Sequence, residues 1–127
     1  MVKSWSGGCL CGSVRFVARG RGTLRHLCSC TMCRKWSGAF TVAWAEFPVA
    51  DFVWTNELGL TFYQSSAATR RGFCNRCGST ICAIDDGYDR ISVATAVLDD
   101  GHALVPGKTH PFAEEAPEWW TVNIVKN

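Results

Sequence analysis

The spacing of the cysteines constrains this fold more than any other feature of the chain. Seven of the eight fall into a Cys-x-Cys pair, a run of three and a Cys-x-x-Cys pair. These are Cys9 and Cys11, then Cys28, Cys30 and Cys33, then Cys74 and Cys77. Thiolates this close in sequence can share a metal ion, and four of them complete a tetrahedral zinc site. The two pairs would then join distant segments of the chain.

The composition favours metal binding over disulfide bonds. The chain has 127 residues, 47% of them hydrophobic and 19% charged, which is typical of a globular domain. No apolar run reaches the ~18 residues of a membrane span, and residues 1–8 lack the apolar segment of a signal peptide. We therefore expect a single domain over residues 1–127 in the cytoplasm, where thiols stay reduced. Disulfides or free core cysteines are the alternative.

Short alternating segments between glycine-rich and aspartate-rich turns predict a mainly β fold. The predicted strands lie at residues 13–18, 24–28, 39–47, 52–55, 60–64, 69–74, 79–84, 90–97 and 120–125. No long segment has the 3.6-residue period of an amphipathic helix, and the proline-containing residues 106–117 are predicted to form an extended loop. The strands would be joined through turns that carry the metal ligands.

The two cysteine pairs predict a closed structural zinc site. Two intervening residues allow Cys74 and Cys77 to bind one ion, and Gly78 can adopt a positive φ that turns backbone N–H groups toward the sulfurs. Cys9 and Cys11, followed by Gly12, form a tighter version. Structural zinc in zinc-finger peptides binds with roughly 10–16 kcal/mol, which exceeds the net stability of most domains.

The middle cluster predicts a different kind of site. Three thiolates leave the fourth position of a tetrahedral ion open, as in catalytic zinc sites. Arg34 and Lys35 follow directly, and such cations stabilise thiolates and can bind the carboxylates of a ligand. In the alternative the chain itself closes the site, and the candidate ligands are Cys82, His26, His102 and His110. We expect Cys82 to pack in the core, because it alternates with Thr80 and Ile84 in a predicted strand.

Three segments taken together identify a family resemblance. They are Gly7-Gly8-Cys9-Leu10-Cys11-Gly12-Ser13-Val14-Arg15-Phe16, Cys28-Ser29-Cys30-Thr31-Met32-Cys33-Arg34-Lys35-Trp36-Ser37-Gly38 and Phe73-Cys74-Asn75-Arg76-Cys77-Gly78-Ser79. Over residues 4–124 the chain resembles the glutathione-dependent formaldehyde-activating enzyme family, also called the GFA/CENP-V family. The resemblance implies a β-tent fold with two zinc ions. By position it implies a structural zinc at Cys9, Cys11, Cys74 and Cys77, and a catalytic zinc at Cys28, Cys30 and Cys33.

The resemblance also implies an activity. The family adds glutathione to formaldehyde to give S-hydroxymethylglutathione, and it is classed as a carbon–sulfur lyase in the reverse sense. Ser29 stands where many members have histidine. We expect a small-molecule thiol and an aldehyde as partners, with Arg34 and Lys35 binding the thiol compound. A formal net charge of +2 does not predict nucleic-acid binding, and we expect no membrane partner.

Two other functional classes fit the same cysteines. One is a non-catalytic zinc-binding interaction module, as in the centromere-associated branch of the resemblance. The other is a thiol redox enzyme of the methionine-sulfoxide reductase type, which shares the β-tent scaffold. That enzyme needs a reactive thiol outside the metal groups, and only Cys82 is unassigned. For the metal itself, iron is the main competitor of zinc at thiolate sites.

Overall fold

The computed structural model describes residues 2–125, which form nine strands in two antiparallel sheets. The strands are β1 (Ser4–Gly8), β2 (Val14–Arg19), β3 (Thr23–Cys28), β4 (Val42–Pro48), β5 (Phe52–Glu57), β6 (Leu60–Gln64), β7 (Thr69–Cys74), β8 (Thr80–Asp85) and β9 (Arg90–Ala94). One α-helix, α1, spans Thr31–Ser37. The 3₁₀ turns are Val49–Asp51, Thr95–Val97, Gly101–Ala103 and Ala113–Glu115. The prediction of a mainly β fold is confirmed, and two sheets agree with the implied β-tent.

The sheets differ in size, and the main core joins them. The smaller has the strand order β1-β2-β5, and the larger has the order β3-β4-β9-β8-β7-β6. Alternation along β2 places Val14, Phe16 and Ala18 on its buried face. These side chains share a core with Phe47 of β4 and Ile81 of β8, both fully buried. Packing between strand faces therefore fixes the ends of the strands, where the cysteines lie.

A second, smaller apolar cluster positions the helix. Trp36 of α1 stacks on Trp44 of β4, with ring centroids 5.7 Å apart and an interplanar angle of 7°. Val42, Trp44 and Ala94 are buried around Cys28 and Cys33. The aromatic pair therefore holds the helix against the larger sheet.

Strand β1 is absent from the sequence-based prediction, which places its glycines in a turn. The glycines of β1 have low strand propensity, and the strand is stabilised instead by its pairing with β2. This pairing runs along the whole of β1 and places Trp5 opposite Ala18. Gly7 is required here for space. A Cβ at this position would lie 2.8 Å from the ring of Phe16 and 2.7 Å from the carbonyl oxygen of Val97.

The predicted strand at 120–125 is wrong. These residues belong to no strand, and residues 121–125 are exposed. The edge of β3 is already occupied by residues 107–111, through hydrogen bonds from Leu27 N to Thr109 O (3.3 Å) and from Ser29 N to Pro111 O (3.1 Å). The following chain is anchored by aromatic contacts instead, since Phe40 packs against Trp119 and Trp120. Within residues 2–125, no helix combines the length and apolar character required to cross a bilayer.

Candidate metal centres

The two cysteine pairs meet in one group. Their sulfur atoms, from Cys9, Cys11, Cys74 and Cys77, all lie within 4.8 Å of one another. Tetrahedral zinc with bonds of about 2.3 Å separates its sulfurs by about 3.8 Å. The Sγ atoms of Cys9 and Cys11 are 3.7 Å apart, and those of Cys11 and Cys74 are 3.9 Å apart. This donor set fits a metal ion, and these separations are far longer than a disulfide bond. No disulfide joins any of the eight cysteines.

A repeated Cys-Gly-Ser tripeptide builds both turns of this four-cysteine group. Gly12 and Gly78 have φ values of +82° and +80°, so the positive φ predicted for Gly78 is confirmed. The hydroxyl of Ser13 lies 3.0 Å from Cys11 Sγ, and that of Ser79 lies 3.2 Å from Cys77 Sγ. The Ser79 hydrogen bond is the largest cause that lowers the pKa of Cys77 to about 5.

Sequence analysis missed these serines as partners of the sulfurs. The signal was present, because Cys11-Gly12-Ser13 and Cys77-Gly78-Ser79 are the same tripeptide. Serine two residues after a ligand can donate its hydroxyl hydrogen to sulfur and stabilise the anionic form. Ser79 also accepts a 2.9 Å hydrogen bond from the backbone N–H of Leu10, which links the two turns directly.

Gly59, between β5 and β6, provides a test of this centre. A Cβ at this position would lie 2.6 Å from Cys74 Sγ and 2.8 Å from Ser13 Oγ. We expect Gly59→Ala to displace the Cys74 sulfur and to weaken metal binding by about 10–100-fold, the range seen when groups that support metal ligands are changed. Competition with a chelator, followed by metal analysis, measures this change.

Gly87→Ala is the matched control for that experiment, because a Cβ at Gly87 would meet no atom within 4 Å. Its positive φ of +75° makes alanine mildly strained, but the residue is remote from both cysteine groups. We expect Gly87→Ala to retain metal as the unsubstituted chain does. Equal chelator resistance in the Gly59→Ala chain would show that Gly59 does not constrain the site.

The middle group forms where β3 meets α1. Cys28 ends β3, Cys30 is the N-cap of the helix and Cys33 lies in its first turn. Their sulfurs also lie within 4.8 Å of one another. Cys30 Sγ accepts a 3.3 Å hydrogen bond from the backbone N–H of Cys33, in the manner of a side-chain cap. The cluster is thus built on a helix start, where the sequence predicts only a loop, because seven residues are too few to show a helical period.

Burial makes two of these three thiols, Cys28 and Cys33, hard to ionise without a cation. It is the main cause that raises the pKa of Cys28 to about 12, and it also raises the pKa of Cys33. For Cys30, burial is outweighed mainly by the hydrogen bond from the Cys33 backbone, and the pKa is lowered. A metal ion would offset the cost of burying the charges, because thiolates bind it as anions.

None of the four candidate ligands closes the middle group. Among residues 2–125, no fourth cysteine, histidine or carboxylate joins the three sulfurs. Cys82 is fully buried in the main core, and burial raises the pKa of its thiol to about 12. His26 lies against the carbonyl oxygen of Leu24, and His102 is exposed. The closed-site alternative with these ligands therefore receives no support.

His110 lies next to the middle group without joining it. Its Nε2 atom is 2.8 Å from the hydroxyl of Ser29, the residue between Cys28 and Cys30. Ser29 is fully buried and also holds residues 107–111 through its backbone N–H. His110 therefore anchors the tail beside the site and orients the Ser29 hydroxyl.

Arg34 and Lys35, the two cations predicted to bind the ligand, differ in their contacts with the protein. Arg34 Nε donates to Ser29 O (3.0 Å), and Arg34 Nη2 donates to Thr31 Oγ1 (3.2 Å), so this side chain braces the start of the helix. Lys35 is exposed.

Sequence analysis missed a third cation, Arg71 of β7. Both of its terminal nitrogens lie 3.7 Å from Cys33 Sγ. Its guanidinium carbon is 5.1 Å from the ring centroid of Trp36 and 5.9 Å from that of Trp44. The sequence did hold a signal, because Arg70 and Arg71 are adjacent in a strand, so the two side chains point to opposite faces.

Comparison with known proteins adds two findings. A family model described as "Glutathione-dependent formaldehyde-activating enzyme" matches residues 4–115. The fold is similar to the crystal structure of a Rhodobacter sphaeroides protein determined by structural genomics, with a TM-score of 0.62 and 24% identity. That alignment covers 75% of this chain and 88% of the other. At this identity the similarity shows a shared fold.

Proposed function

Because this chain belongs to the glutathione-dependent formaldehyde-activating enzyme family, we propose that it is a zinc-dependent carbon–sulfur lyase. In this proposal it adds a glutathione-like thiol to a small aldehyde such as formaldehyde, or catalyses the reverse. The observation that supports it best is the middle group, where three sulfurs converge and no fourth protein ligand joins them within residues 2–125. Three protein ligands and one open position are the usual arrangement of catalytic zinc.

Each cysteine group suits one zinc ion in this proposal. Both donor sets consist of sulfur, which zinc and iron accept, and family membership favours zinc. An ion held by Cys9, Cys11, Cys74 and Cys77 would have a full set of ligands and a structural role. At Cys28, Cys30 and Cys33 the ion would supply Lewis-acid chemistry, lowering the pKa of a thiol at neutral pH.

The charges in the overall reaction suggest roles for the surrounding side chains. The thiol sulfur bonds to the aldehyde carbon, the carbonyl π bond breaks, and the proton lost by the thiol is balanced by one gained at the new hydroxyl. Arg71 places positive charge beside the Cys33 sulfur, which favours an anionic site in a buried position. Lys35 and Arg34 would attract and orient an anionic thiol compound, with Arg34 also bracing the backbone of Ser29.

X-ray absorption at the zinc edge tests the proposal. We expect addition of glutathione to zinc-loaded protein to raise the average number of sulfur ligands per zinc, because the middle ion gains one. S-methylglutathione is the matched control, since it has the same peptide and charges but no thiol, and it should leave the spectrum unchanged. A constant sulfur count at saturating glutathione would contradict the proposal.

The redox alternative gains little from the structure. Its candidate thiol, Cys82, is buried, and its pKa is raised to about 12, whereas reactive thiols are accessible and readily ionised. The proposal therefore places the chemistry at the middle cysteines and gives Cys82 a packing role.

A further inference from the structure

A pocket of about 530 Å³ adjoins the middle group, and no role has yet been assigned to it. Its walls include Met32, Lys35, Trp36, Tyr63, Ser65 and Arg71. Arg71 connects the pocket to the middle group, because the same guanidinium lies against Cys33 Sγ. Arg71 therefore lies between the pocket and the middle cysteines, none of which lines the pocket.

The described residues that line this pocket include positive charges and no negative charge. Arg71 is only 6% exposed, and within residues 2–125 no carboxylate lies within 4 Å of it. Lys35 adds a second cation, and none of the described residues that line the pocket is acidic. A buried guanidinium ordinarily requires an anion, and here only the Cys33 sulfur contacts it in that role.

The walls also have hydrogen-bond donors without acceptors. Arg71 Nε and Trp36 Nε1 are buried and have no hydrogen-bond partner among the described residues. Both belong to side chains that line the pocket. Unpaired buried donors are costly, so a small rotation of these side chains that brings the donors to acceptor oxygens of a ligand in the pocket would be favoured. Met32, Trp36 and Tyr63 supply apolar surface next to these donors.

We propose that this pocket binds an organic carboxylate whose carbon skeleton is apolar, with Arg71 and Lys35 facing the carboxylate and Trp36 and Tyr63 contacting the skeleton. The inference rests on the proposed function in one respect only, that this carboxylate belongs to the thiol substrate. Under this inference the substrate is a mercaptocarboxylic acid with an apolar body. Arg71 then has the main anion-binding role in place of Arg34, because Arg34 is hydrogen-bonded to Ser29 and Thr31.

A ligand without a thiol tests the pocket independently of zinc chemistry. The probe is 4-phenylbutyrate, and its neutral isostere 4-phenylbutanamide is the comparison. Each is titrated into the metal-loaded full chain by calorimetry and by NMR of the Trp36 indole N–H, assigned with Trp36→Phe. We expect the acid to bind about tenfold more tightly than the amide and to shift the Trp36 signal, because hydrogen bonds to charged groups are the stronger class.

Three variants locate the binding. Arg71→Gln should weaken binding of the acid about tenfold, and Lys35→Met, an exposed position with little effect on folding, about threefold. Arg70→Met is the matched control, because Arg70 is the neighbour of Arg71 on the opposite face of β7 and is exposed, 3.9 Å from Asp86. It should bind the acid as the unsubstituted chain does. If Arg71→Gln loses metal or fails to fold, Lys35→Met decides the question.

The pocket assignment is overturned if acid and amide bind equally, if neither binds at millimolar concentration, or if Lys35→Met leaves the preference for the acid unchanged. These outcomes are separable from a failure of the proposed function. Glutathione that leaves the zinc edge unchanged contradicts the proposed use of a glutathione-like thiol, and binding of phenylbutyrate is unaffected by that result.

Discussion

Replacing Cys74 with alanine is expected to leave a chain that binds one metal ion and has lost most of its cooperative unfolding transition. Cys74 is fully buried, and its group joins turns 63 residues apart in sequence. Closing a loop of this length costs the unfolded chain several kcal/mol of conformational entropy, which the bound ion offsets. Structural zinc contributes on the order of 10–16 kcal/mol, against about 5–15 kcal/mol of net stability for typical domains. Native mass spectrometry and urea unfolding measure the two effects.

Cys82→Ala is the matched control, because Cys82 is also a fully buried cysteine and belongs to neither metal group. Removing one buried sulfur should cost about 1–2 kcal/mol and leave the metal content unchanged. If the Cys74→Ala chain unfolds at the same urea concentration as the Cys82→Ala chain, the four-cysteine group does not stabilise the fold.

Cys30→Ser is expected to abolish the reaction while the fold remains. The hydroxyl keeps the N-cap of α1, since serine is a preferred capping residue, but the substitution removes one of the three sulfurs of the middle group. The three cysteines lie within six residues, so the unfolded chain can also bind the ion through them, which reduces what the ion adds to stability. We expect activity to fall by more than the ~10–100-fold that changes around metal ligands cost. Exchange NMR between ¹³C-formaldehyde hydrate and its glutathione adduct measures the rate.

Two comparisons complete this experiment. Cys82→Ala should retain full activity, and its loss would instead support a redox thiol at this position. The free energy of unfolding of Cys30→Ser should stay within about 1 kcal/mol of that of the unsubstituted chain. If Cys30→Ser unfolds together with its loss of activity, the middle group is structural and the non-catalytic alternative gains support.

Much of this architecture follows from local patterns in the sequence. The alternation of Val14, Phe16 and Ala18 with Arg15 predicts β2, because one face of that strand packs on the core. The cysteine spacings predict both groups, since residues two or three apart in a turn can point at one ion. These features need no information about distant parts of the chain.

The features that escaped prediction depend on partners far away in sequence. Helix α1 is shorter than two full helical periods, and it is held by its cap and by Trp36 stacking on Trp44. Arg71 faces Cys33 only because β7 lies in the same sheet as β4, whose Trp44 contacts the guanidinium. The sequence after residue 119 predicts a strand, but residues 120–125 form none. Residues 107–111 already occupy the sheet edge beside β3.

Strand β7 contributes one side chain to each of the two cysteine groups, from opposite faces of the strand. Arg71 contacts the middle group, and Cys74, three positions on, belongs to the four-cysteine group. Because successive side chains of a strand point in opposite directions, one residue inserted or deleted between Arg71 and Cys74 would place both on the same face, so that only one of the two groups could keep its β7 side chain. Insertions and deletions are therefore expected to be tolerated not in this strand but in surface turns such as residues 86–88, which are exposed and belong to neither cysteine group.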